Sequence, residues 1–211
     1  LGLPLFSKIF FDRKEKSQFV FYDAYYPYNK DPENHLFLNV RVPYSHLSYH
    51  TAGSTENQEE RFEGRLTMNF GKKLNLGFDI DYPYARGFYN SQSAKHIDWV
   101  VYGNYLSDRF EAHAYASTAS ITHYENGGIA DDRFIMQPDS IQQDFKTGDI
   151  PTKFSQTWNR LKTDQFYLTG RYNLGYRKEP VEEDEKGEFV PVASIILTSR
   201  YRQQYRRFLS Y

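Results

Sequence analysis

Three side chains near the middle of the chain, Asp98, His113 and Ser117, are the residue types of a nucleophilic triad. An acid, a base and a hydroxyl transfer acyl groups only when they hydrogen-bond in series, and nothing in this spacing puts them there. His113 also alternates with Glu111, so one face of an extended segment offers a metal two ligands. The six histidines, however, contain no HExxH or HxH arrangement to complete a site. Asp131, Asp132, Asp139, Asp144 and Asp149 could approach Ca²⁺, but they lack the odd-position spacing and closing glutamate of a calcium loop. Gly127 and Gly128 have no following Lys-Ser or Lys-Thr to make a phosphate loop. "YRQQYRR" (201–207) interleaves rings with arginine as single-strand nucleic-acid binders do, but its arginines are better placed lining a lumen or meeting anionic headgroups. A formal net charge of -1 leaves no general basic field for phosphate backbones. The expectation is a chain with no catalytic residues, no metal, no cofactor and no nucleic-acid partner.

The elements that carry these residues are extended. "KKLNLGFDIDYPY" (72–84) places Leu74, Leu76, Phe78, Ile80, Tyr82 and Tyr84 on one face and Asn75, Gly77, Asp79, Asp81 and Pro83 on the other. A period of two specifies a strand. The same alternation marks residues 35–50, 61–70, 97–105, 110–118, 164–176 and 190–203, and "QFVFYDAYY" (18–26) could supply an eighth strand. In residues 35–50 the apolar set is Leu36, Leu38, Val40, Val42 and Tyr44. Cysteine is absent and aromatics make up 18% of the 211 residues, while mean hydropathy is -0.75. No apolar run approaches the roughly 20 residues a spanning helix needs. Strands that cross a bilayer carry only every second residue apolar, so a low mean hydropathy does not exclude them.

An antiparallel sheet in water and a barrel in lipid alternate alike, and two asymmetries separate them. Connections alternate between short ("GKK", "LSDR") and long ("TAGSTENQEE", "RGFYNSQSAK" and residues 120–163), so one end of the meander has tight turns and the other long loops. The acidic connection 178–188 is an exception on the turn side. Tyr82, Tyr84, Phe88, Tyr89, Tyr105, Phe110, Tyr172 and Tyr176 cluster at strand ends, where lipid boundaries favour amphipathic rings. Both features match outer-membrane barrels, with short periplasmic turns and long extracellular loops. Residues 120–163 would be a long extracellular loop within a single domain spanning 1–211.

The stretch "FLNVRVPYSHLSYHTAGSTENQEERFEGRLTMNFGKKLNLGFDIDYPYARGFYNSQSA" resembles the N-terminal part of a porin family of Bacteroidota. An "RVPY" strand, a polar loop with glycine, a phenylalanine-bearing strand and "LNLGFDIDY" ending in "ARGFYNSQ" carry the likeness. It extends from about "FYDAYYPYNK" through "YLTGRYNLGYR". The resemblance implies an outer-membrane β-barrel longer than this chain, without catalytic residues.

Together these readings predict an all-β, antiparallel, up-and-down transmembrane barrel, or a contiguous segment of a larger one, in the bacterial outer membrane. Its expected function is passive diffusion of small polar solutes. The alternatives are a β-domain binding glycans through its tyrosines, and a barrel anchoring a partner protein. Expected pore-lining residues are Glu63, Arg65, Asn69, Asp79, Asp81, Asp98, Glu111, Arg171 and Arg200. Expected lipid-facing residues are Leu66, Leu76, Phe78, Ile80, Trp99, Val101 and Leu168. Expected partners are outer-membrane lipid, small polar solutes, and other barrel strands or subunits. Phe78→Arg should impair membrane insertion, and Gly77→Ser on the opposite face should be tolerated.

Overall fold

The computed structural model describes residues 4–13, 18–54, 56–138, 141, 146–178 and 187–210. Seven strands among them form one antiparallel sheet: β1 (Tyr44–Ala52), β2 (Glu59–Phe70), β3 (Leu74–Arg86), β4 (Ser93–Leu106), β5 (Phe110–Tyr124), β6 (Trp158–Arg177) and β7 (Phe189–Leu209). Each strand pairs with its neighbours in sequence, so the order is β1 to β7 and the sheet is an up-and-down meander. β1 and β7 are its edges; the sheet is not closed on itself.

The turns follow from local chemistry. Residues 71–73 reverse the chain between β2 and β3, and Gly71 supplies the left-handed φ of 72° that a side chain resists. Residues 107–109 reverse it between β4 and β5, closed by the Ser107 N–H donating to the Phe110 carbonyl at 2.9 Å. Residues 178–188 join β6 to β7, with the Lys178 N–H donating to the Glu188 carbonyl at 3.0 Å. The other end carries residues 53–58, 87–92 and 125–157. The longest connection is shorter than the expected 120–163, because β5 continues to Tyr124 and β6 begins at Trp158. It contains the short helix α1 (Arg133–Met136). The β6–β7 register shifts at Leu174/Gly175, beside Pro191, which has no N–H to give the ladder.

One expected strand is absent and another begins later than expected. Most of residues 18–26 fall in a 3-10 helix, Val20–Tyr28, with Pro27 inside it. The alternation of residues 35–43 is not used by the sheet either, since β1 begins only after Pro43. β1 pairs Tyr44 with Thr67 and Ser45 with Leu66, so Tyr44 shares a face with Thr67, and Ser45, Leu47 and Tyr49 share the other with Leu66. That reverses the side expected for Tyr44.

Residues 18–43 instead form a strap across one face of the sheet. Tyr22 and Tyr25 are buried against Ile121 of β5 and Leu161 of β6. Phe37 packs with Val100, Tyr102 and Tyr115. At the far side, the Val40 N–H donates to Asn69 Oδ1 at 3.2 Å on β2. The strap divides the sheet into a covered face and a bare face, and the core lies under the strap.

Candidate functional site

Strand pairing places all nine expected pore-lining residues on the covered face. Arg65 lies opposite Asp79, Glu63 opposite Asp81, Asn69 opposite Asn75, Asp81 opposite Asp98, and Glu111 opposite Arg171; Arg200 lies opposite Tyr167, in the row of Tyr115 and Tyr102. The seven expected lipid-facing residues share the bare face, where Leu66, Phe78 and Val101 form one row and Ile80 and Trp99 the next. Leu66 is 50% and Val101 47% exposed, whereas Asp98 is 1% exposed. Leu76, Phe78, Trp99 and Leu168 are exposed as well, and Ile80 is intermediate.

The covered face is held by charge. Arg65 grips Asp79 with two hydrogen bonds, Nε at 2.9 Å and Nη2 at 2.8 Å, and Arg61 grips Asp81 in the same bidentate way at 3.0 and 2.9 Å. Asp81 and Asp98 oppose one another directly, an unfavourable pairing of like charges. Lys30 of the strap relieves it, with its ammonium 3.6 Å from Asp81. Glu111 is 3.6 Å from Arg171. Across the sheet, Arg200 donates to Glu33 Oε1 at 2.6 Å and to Asp31 Oδ1 at 2.8 Å, and Arg202 also donates to Asp31. Thus β3 and β4 are acidic (Asp79, Asp81, Asp98) and β7 is cationic, and the strap meets each with the opposite sign.

Polar contacts extend this docking. Tyr115 donates its hydroxyl to the Lys30 carbonyl at 2.7 Å, and Asn69 Nδ2 donates to Asn39 Oδ1 at 2.5 Å. The ring of His35 sits 4.4 Å from Tyr102 and 5.1 Å from Tyr115. Burial there holds the His35 imidazole below its usual range, against the pull of Asp79. Burial pushes the Tyr22 phenol up to about 12. Among the described residues, Asp98 Oδ1, His96 Nε2 and Asn104 Oδ1 are buried without a hydrogen-bond partner. Leaving such groups without partners is costly, so this face is not packed as an ordinary apolar core.

The candidates for covalent chemistry are not brought together. His113 and Ser117 stand four residues apart on β5, about 13 Å along the strand; the ring of His113 packs 4.9 Å from that of Phe37. Glu111, its neighbour on that face, pairs with Arg171. Among the described residues no group of three or more His, Asp or Glu side chains gathers as a metal site. Asp131 is bonded to Arg133, while Asp139 and Asp144 lie outside the described residues. A cleft of about 800 Å³ at the long-loop end is lined by Tyr25, Glu59, Arg86, Phe88, His123 and Glu125.

The sequence reading does not single out Lys30, Asp31 and Glu33, whereas Arg202 belongs to the "YRQQYRR" run whose arginines it expects on a lumen wall or against headgroups. The compact charge run "NKDPEN" (29–34) is the available signal, because its one cation followed by two anions matches the acidic and cationic sides of the covered face. Gly77 was read as free to take a side chain. A Cβ there would sit 2.1 Å from the Tyr102 ring, which is itself buried, so the expected tolerance of Gly77→Ser does not hold.

A family model described as "Putative porin" matches residues 1–211, the whole chain. Neither a curated protein nor a solved structure matches it.

Proposed function

The chain belongs to the porin family whose model spans it, and from that premise we propose that it forms wall of a β-barrel in the bacterial outer membrane through which small polar solutes diffuse passively. The observation that carries this reading is the inversion of its faces. Through the middle of β2 to β4 the large exposed apolar side chains, Leu66, Phe78, Trp99 and Val101, point to the bare side, whereas Arg65, Asp79, Asp81 and Asp98 lie on the covered side. A water-soluble barrel is arranged the other way round. From Leu74 to Tyr84 the bare face of β3 spans about 33 Å along the strand, which at the usual barrel tilt gives a band about 25 Å tall. Lipid also forbids open edges, so β1 and β7 are continued by further strands of the same barrel or of other subunits.

The mechanism needs no bond making. Solutes cross a water-filled lumen down their gradient, selected by its width and wall charge. The strap narrows that lumen, and its Lys30, Asp31 and Glu33 sit between the acidic and cationic sides of the wall. Reconstitution of the natural protein tests the reading. It should run as a heat-modifiable band only when folded with detergent or lipid, and its vesicles should swell in small sugars. A protein monodisperse without detergent, or vesicles impermeable to every small solute, overturns it.

A further inference from the structure

One row of the bare face, at the long-loop end, is cationic. Strand pairing aligns Glu60, Tyr84, Lys95, Thr122, Arg160 and Arg207 across β2 to β7. Two residues nearer the apolar band, the next row carries Lys162 beside Tyr205. Arg160 and Arg207 face one another directly, an arrangement that is unfavourable unless an anion lies between them. Among the described residues no carboxylate forms an ion pair with Lys95, Arg160 or Arg207; Lys162 alone has one, Asp164 at 3.1 Å. Three of the four cations sit beside rings. The Arg160 guanidinium is 4.9 Å from the centre of Trp158, the Lys95 ammonium 5.5 Å from that of Tyr82, and the Lys162 ammonium 5.8 Å from that of Tyr205. Arg160 is oriented by donating Nε–H to Thr122 Oγ1 at 3.0 Å, which leaves its terminal nitrogens for another acceptor.

The opposite end of the same face differs. Its outward strand residues are Phe70, Leu74, Tyr105, Phe110, Tyr172 and Leu174, with rings and aliphatic chains but no cation. The charge is therefore placed at one boundary of the apolar band, the depth at which headgroups lie.

We propose that Lys95, Arg160, Lys162 and Arg207 form a binding site for the phosphate of a membrane-lipid headgroup, on the outward face at the long-loop end. Two guanidinium groups and two ammonium groups match the oxygens of a phosphate better than a lone carboxylate. The neighbouring rings fit the boundary between acyl chains and headgroups. Glu60 stands at the far end of the row and limits the patch on that side. The proposal rests on the membrane reading above.

Spin-labelled lipids test it on the natural protein in phosphatidylcholine vesicles, with heat-modifiable migration reporting insertion independently. Spin-labelled phosphatidic acid should associate about fivefold more strongly than spin-labelled phosphatidylcholine at low salt. The preference should fall to near parity in the double variant Arg160→Gln, Arg207→Gln. Should that pair fail to insert, Arg207→Gln alone serves, because its side chain is exposed. A wild type that inserts without preference, or a preference the variants leave unchanged, overturns the site and leaves the barrel standing. Failure to insert overturns both. Inorganic phosphate should displace the labelled lipid no better than chloride at equal ionic strength; specific displacement would make this a site for free phosphate and overturn the lipid assignment.

Discussion

The two faces of this sheet share one periodicity and have opposite fates. On the bare face, Leu66, Phe78, Val101 and Phe166 form a continuous row of exposed apolar side chains. On the covered face, the next row over carries Arg65, Asp79, Val100, Ser117 and Gln165, mostly polar and largely removed from solvent. Burial therefore follows position rather than hydrophobicity, the reverse of a protein whose surroundings are water on all sides. In the proposed barrel this difference assigns the bare face to lipid and the covered face, with the strap on it, to the lumen.

The comparison breaks most sharply at Phe78. Phe78→Arg should weaken insertion into vesicles by about 2–4 kcal/mol if the residue lies near the bilayer midplane, measured by equilibrium folding into lipid. Arg at a position on the covered face carries no such lipid penalty, so a variant at Phe78 that inserts normally would remove the distinction between the faces. The next largest effect is at Gly77, one residue away. Gly77→Ser should cost about 1–3 kcal/mol by forcing the buried Tyr102 aside, and the loss should appear in detergent as well as in lipid. That separates packing damage from lipid damage.

Removing the strap's anchors sharpens the comparison from the covered side. The double change Arg200→Gln, Arg202→Gln deletes the contacts to Asp31 and Glu33. These pairs are partly exposed, so the loss is about 1 kcal/mol, read as faster proteolysis at Lys30 and a higher conductance, while lipid insertion stays unchanged. The wild type should approach the same behaviour at high salt.

The smallest effect is that of pH. Burial keeps His35 below its ordinary imidazole range when the strap is docked, whereas an undocked His35 titrates near about 6.5. The undocked form therefore binds more protons just below that value. Docking is at full strength above it and weakens as pH falls through it. Proteolysis at Lys30 should accelerate on acidification below about 6.5, and His35→Phe should remove that response.

Much of the sheet was legible in the sequence because its signal is local. The 61–70, 74–84, 97–105 and 164–176 segments each carry their alternation within themselves, and two short turns fix their pairing. The face assignments of Glu63, Asp79, Phe78 and Trp99 follow from the same parity. Residues 18–43 were misread for the same reason. "HLFLNVRV" alternates as a strand does, but Pro43 ends the run, and Phe37 finds its partners on strands far away in sequence. Strand ends were drawn short as well. Ser120, Thr122, Arg160 and Lys162 continue β5 and β6 with outward polar side chains, which look like loop residues until their boundary position is known.

The ion pair between Asp31 and Arg200 joins residues 169 positions apart. In an unfolded chain the entropy lost on closing a loop of that length opposes so small an attraction. Once the meander has formed strand by strand, Arg200 and Asp81 are both fixed in place, and the strap has only its own short length to order. Docking of the strap through Arg200 therefore depends on β7 having found its register beside β6. A one-residue slip of β7 would turn Arg200 and Arg202 to the lipid side and leave Asp31 and Glu33 without cations. The strap's full set of ion pairs is thereby available only to a sheet whose last strand, the one furthest from it in sequence, is in register.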